Sequence, residues 1–91
     1  MRVTVVHTDA CHLCDDARQV LAQLATEYPL RIELVDAGST HGQQLMAVHR
    51  AGMYPLVLLE GEFVSAGRLP RGRLRHLLQH RTVQPRAVQP R

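Results

Sequence analysis

Asp9-Ala10-Cys11-His12-Leu13-Cys14-Asp15-Asp16 decides how the rest of the chain is read. It holds both cysteines of the 91-residue chain, in a Cys-x-x-Cys spacing. The apolar run Val3-Thr4-Val5-Val6-His7 precedes it, and a helical pattern starts at Leu13. A strand that hands a Cys-x-x-Cys to the first turn of a helix is an arrangement for thiol–disulfide exchange in an intracellular protein. The first thiol then lies at the helix end and the second one turn in, so the sulfurs can bridge with little backbone change.

Met1 to His7 alternates as a strand, with Val3 and Val5 on one face and Val6 on the other. From Leu13, apolar residues recur at Ala17, Val20, Leu21, Leu24 and Tyr28, a stripe of helical period that Pro29 ends. Leu30 to Asp36 alternates again, which makes a βαβ unit with parallel strands and a right-handed crossover. After the loop Ala37-Gly38-Ser39, Thr40-x-x-Gln43 fits a capping box. Leu45, Met46, Val48 and His49 continue that helix, and Gly52 is placed to stop it. Leu56-Val57-Leu58-Leu59 and Glu62-Phe63-Val64-Ser65, joined by Glu60-Gly61, read as an antiparallel hairpin. A last helix begins near Pro70 and buries Leu74, Leu77 and Leu78. The order is β-α-β-α-β-β-α, a four-stranded mixed sheet flanked by helices. Residues 1–81 form one domain, and residues 82–91, which hold Val-Gln-Pro-Arg twice, read as a disordered or extended basic tail.

Composition narrows the function. Aromatics are confined to Tyr28, Tyr54 and Phe63, so the core is aliphatic and a base-stacking platform is not expected. No run reaches membrane-spanning length, and no charged-then-apolar signal region opens the chain, which points to the cytoplasm. There a lone cysteine pair is catalytic or metal-binding more often than structural. The net charge is +3, every basic residue being Arg. Arg68, Arg71, Arg73, Arg75, Arg81, Arg86 and Arg91 follow Gly61, against the single acid Glu62. This raises an acidic protein partner for the last helix, although a solvated basic face reads the same way. Nucleic acid is not expected, because no groove-reading motif accompanies the arginines.

With the cysteine pair after the first strand, an X-Pro before the third and a Gly turn before the last helix, residues 2–80 resemble the thioredoxin fold in its minimal, glutaredoxin-like form. The wording Cys11-His12-Leu13-Cys14-Asp15-Asp16 is most similar to the short glutaredoxin-like proteins of bacteria. The resemblance implies that Pro55 is cis and faces the cysteines, with Tyr54 offering its backbone to an extended substrate. It also implies substrate contact at Gly67 and Arg68. The chain departs from the pattern in several places. His12-Leu13 replaces Pro-Tyr, and Thr8-Asp9 stands where a Lys meets a glutathione carboxylate. Tyr54 replaces a small β-branched residue, and Ser65-Ala66-Gly67-Arg68 replaces Gly-Gly-x-Asp. No bound cofactor is expected, and glutathione stays an open alternative as reductant, since the acid that holds its amino group is missing.

The residues themselves define the chemistry. Cys11 is the nucleophile, its thiolate favoured by the N–H groups and dipole of the helix end and by His12, and opposed by Asp9, Asp15 and Asp16. Cys14 is the resolving thiol, which attacks the mixed disulfide that Cys11 forms with a protein or low-molecular-weight disulfide. The rival reading is a non-catalytic binding module, with the cysteine pair sharing a metal or cluster across a dimer. No second Cys-x-x-Cys completes a site within the chain, so no metal ligands are assigned.

Overall fold

The structure is a computed structural model that describes the backbone of residues 1–88 and the side chains of residues 1–81. Its elements are β1 (Arg2–His7), α1 (His12–Leu24), β2 (Arg31–Asp36), α2 (Thr40–Val48), β3 (Leu56–Leu59), β4 (Glu62–Ala66) and α3 (Arg71–Val88). The strands form one sheet in the order β2-β1-β3-β4. β1 runs parallel to β2 and antiparallel to β3, and β4 returns antiparallel to β3. The element order, the parallel β1–β2 pair and the antiparallel hairpin are as expected, and the structure adds the place of β3 beside β1.

Position in the sheet explains the hydropathy of each strand. β1 and β3 are central, so Val3, Val5 and Val6 and all four residues of β3 are buried. β2 is an edge strand and leaves Ile32 and Leu34 in contact with solvent. On one face Val3, Val5, Val57, Leu59 and Val64 pack with Ala17, Val20, Leu21 and Leu24 of α1 and with Leu74 and Leu78 of α3. On the other face Val6, Leu56 and Leu58 pack with Leu45 and Met46 of α2 and with Tyr54. The sheet is therefore sandwiched between α1 with α3 and α2 alone. Each fully buried Leu contributes about 1.5–3 kcal/mol, which compensates for the scarcity of aromatic rings.

Hydrogen bonding shifts three expected helix boundaries. α1 closes at Leu24 rather than running to Tyr28, because the N–H groups of Thr26, Glu27 and Tyr28 turn back onto Gln23 and Leu24. Ser39, not Thr40, caps α2: its Oγ accepts from the Gly42 N–H at 3.0 Å and donates to the Asp36 carbonyl at 2.6 Å. Arg50, not Gly52, takes the left-handed stop, at φ 51°. There the Ala51 N–H donates to the Met46 carbonyl and the Arg50 N–H to that of Ala47, the paired bonds of a Schellman ending. Val48 follows the periodicity of α2 but is 74% exposed, since the helix covers the sheet only through Leu45 and Met46. In the hairpin, Glu60 and Gly61 both have positive φ, 51° and 83°, the pattern whose twist suits a two-residue link between strands. The Pro70 carbonyl accepts the Leu74 N–H, so Pro70 lies just ahead of α3 rather than inside it. The backbone of α3 is helical to Val88, past the start of the segment expected to be a tail, and residues 89–91 lie outside the described residues. Among the described residues no helix is long and apolar enough to cross a membrane.

Two ion pairs, from Arg75 and Arg81, tie α3 to the rest of the fold. Arg75 makes two bonds to the Glu27 carboxylate, the second at 3.0 Å, and Arg81 meets Glu62 at 2.6 Å. The bonds from Arg75 hold the Glu27 carboxyl below the ordinary carboxylate range, and reciprocally Glu27 raises the Arg75 guanidinium. A carboxyl lowered on folding contributes stability at neutral pH that is lost as pH falls through its folded value. Both groups are exposed, so the contribution is small and salt-sensitive. Thermal melts should show Glu27→Gln slightly less stable than the parent at pH 7. The difference should shrink as pH falls through the lowered folded-state value of the Glu27 carboxyl and vanish once the carboxyl is protonated in both states.

Candidate active site

One edge of the sheet collects the residues singled out in the sequence. Val6 stands opposite Leu56, and Leu56 opposite Ala66, so the end of β1, the start of β3 and the end of β4 lie abreast. The loop after β1 carries Cys11, the loop before β3 carries the cis Tyr54–Pro55 bond, and the loop after β4 carries Gly67. The Gly67 N–H donates to the Pro55 carbonyl at 3.0 Å, which fixes the second and third loops to each other.

Ala10 takes a left-handed backbone, φ 50°, and turns the chain off β1. Cys11 is then extended (φ −121°, ψ 102°) and is itself the N-cap of α1. Its Sγ accepts the Cys14 N–H at 3.1 Å, one of the N–H groups a helix start leaves without an internal partner. The side chain thus sits where an anion is stabilised by N–H donors and by the helix dipole. Cys14 lies one turn along, 3% exposed and part of the core, and it is bonded to Cys11 with a Cα–Cα separation of 5.2 Å. Cys11 is only half-buried, so the two sulfurs differ in access while sharing one bond. Of the nearby acids, Asp9, Asp15 and Asp16 are all exposed, and Asp15 is turned toward Arg18 at 3.3 Å.

His12 is the exposed first residue of α1. Pro55 is fully buried, and Tyr54 is half-buried against Val6, Leu56 and Leu58, so its ring covers the core. Gly67 is buried at φ 105°, a left-handed conformation that favours glycine. A Cβ there would stand 3.4 Å from the Met53 Cε and 3.5 Å from its Sδ. Arg68 is exposed beside it. The fold therefore gathers Cys11, Cys14, Tyr54, Pro55, Gly67 and Arg68 at one edge.

Sequence reasoning missed Met53, which is 55% exposed yet lies against Gly67. Its only sequence signal is its place next to Tyr54-Pro55. His76 and His80, at a His-x-x-x-His spacing on α3, stack their rings 6.5 Å apart. Two imidazoles fall short of the four ligands of a structural zinc site. Among the described residues no three His, Cys, Asp or Glu side chains group as metal ligands.

The strand order, with two helices on one face and one on the other, is a thioredoxin-like arrangement. The family model described as Glutaredoxin-like domain (DUF836) matches residues 2–79, and the chain belongs to that family. A comparison with curated proteins gives no match. A glutaredoxin-like domain with its Cys-x-x-Cys closed as a disulfide fits a redox role.

Proposed function

We propose that this protein is a thiol–disulfide oxidoreductase that reduces protein or low-molecular-weight disulfides with the Cys11–Cys14 pair. The observation that carries this reading is the unequal access of the two bonded sulfurs: Cys11 half-buried at the cap of α1, Cys14 3% exposed. The Cys11 thiolate attacks one sulfur of a substrate disulfide, forming a mixed disulfide and releasing the other sulfur as a thiolate. The Cys14 thiolate then attacks Cys11 Sγ and expels the second substrate thiolate. The substrate gains two electrons and the protein is left as the disulfide, to be reduced by an external dithiol or by two monothiols such as glutathione. The proposed setting is the cytoplasm, where such reductants are held in excess.

In the reduced protein His12 assists by donating to, or placing positive charge near, the Cys11 thiolate. A stabilised thiolate stabilises the reduced form, so His12→Ala should lower the reduction potential and make the pair less oxidising. An unchanged or higher potential would remove His12 from the mechanism.

The proposal is tested in a single turnover. Reduced protein, mixed with excess neutral peptide disulfide, should convert one disulfide to two thiols per chain and end with Cys11 joined to Cys14. No thiol release would refute the reading.

A further inference from the structure

We infer that the preferred substrates of this site are protein disulfides flanked by acidic residues, recognised by Arg68, Arg71 and Arg73. The inference rests on the redox reading above and narrows its substrate class. From Phe63 to Arg81 the chain contains no acid. Two of its five arginines are neutralised from elsewhere in the fold, Arg75 by Glu27 and Arg81 by Glu62. The other three are exposed and make no ion pair among the described residues.

Their position matters more than their number. Arg68 follows Gly67, which is bonded to Pro55, at the same sheet edge as Cys11. Arg71 and Arg73 occupy the first turn of α3, which holds no acidic residue. Cations at a helix N-terminus oppose its dipole, so these charges work against the helix that carries them. Arg71 and Arg73, two residues apart, leave α3 on different sides, so the three charges act on an approaching carboxylate as a shared positive field at the helix end rather than as one clamp. Asp9 and Asp16, on the α1 side of the edge, give the site an opposite sign there. A bound chain should therefore carry its acids on the side facing α3. Guanidinium forks suit carboxylates, and an unscreened field of one sign raises association rates by about 10- to 1000-fold.

The test measures kcat/KM for three peptide disulfides identical except for flanking Asp, Asn or Lys residues, with the full chain. Wild type should favour the Asp peptide over the Lys peptide by about tenfold at low salt. The preference should collapse near 1 M salt, where the screening length is about 3 Å. Arg68→Glu/Arg71→Glu/Arg73→Glu should reverse the order, while Arg31→Glu, at the far end of the sheet, should keep it. Equal rates for the three peptides, or a preference that survives the triple substitution, would overturn the inference while leaving the redox reading intact. Inhibition by a single-stranded oligonucleotide without discrimination among peptides would overturn it in favour of nucleic acid. Failure to reduce even the Asn peptide would overturn the redox reading and this inference with it.

Discussion

Cys11→Ser should lower disulfide-reducing activity by about three orders of magnitude or more, because the attacking atom is gone and no other thiol is accessible. Cys14→Ser should behave differently. Cys11 keeps its place at the cap of α1, attacks, and then has no partner to release it. Mass spectrometry should find one substrate thiol retained per chain, bound at Cys11, and turnover should then depend on an added thiol. The distinction follows from burial. Cys14 at 3% exposure cannot meet a substrate sulfur directly, but it is already within bonding reach of Cys11. Equal first-step reactivity of the two variants would contradict the assignment.

Gly42→Ala should destabilise the fold, although helix propensity alone predicts a gain of about 0.5–1 kcal/mol for removing a helical glycine. Gly42 lies in the first turn of α2, where a Cβ would stand 2.2 Å from the carbonyl oxygen of Asp36. That carbonyl already accepts from Ser39 through both its N–H and its Oγ, so the obstacle is backbone held in place rather than a side chain free to swing. Overpacking of this kind costs about 1–3 kcal/mol and wins over propensity. Chemical denaturation should show a lower midpoint with an unchanged slope. Since α2 lies on the face opposite α1, the cysteine pair of the folded fraction should keep its reduction potential. A stability equal to or above wild type would mean that α2 can shift off the end of β2 at no cost.

The element order was legible because hydrophobic periodicity changes sharply from two to nearly four residues at Cys11-His12 and back again at Pro29-Leu30. Two of the three strand pairings were legible, because a helix between β1 and β2 leads to a parallel pair and a two-residue link to an antiparallel one. The place of β3 antiparallel beside β1 was not, since α2 and its loops separate β3 from the βαβ unit. Boundaries set by capping were not. Ser39 and Thr40 are chemically alike, and only the bond that Ser39 Oγ accepts from the Gly42 N–H shows which one caps α2. Arg50 at a left-handed position runs against the preference that pointed to Gly52. The site was legible as a motif at Cys11 and Cys14, yet Met53 beside Gly67 was not, because that contact joins two loops with no shared sequence pattern. The ion pairs of Arg75 and Arg81 were equally hidden, and they alone separate the neutralised arginines of α3 from Arg68, Arg71 and Arg73.

The most direct test of the central claim is a redox titration. The protein is equilibrated in glutathione buffers of graded potential, free thiols are trapped by alkylation, and the mass shift is counted. A single two-electron transition is expected between about −180 and −280 mV, with both cysteines changing together and a slope of about 30 mV per tenfold change. Cysteines that stay unreactive throughout, or that alkylate only after a chelator is added, would contradict it and favour a metal-holding pair.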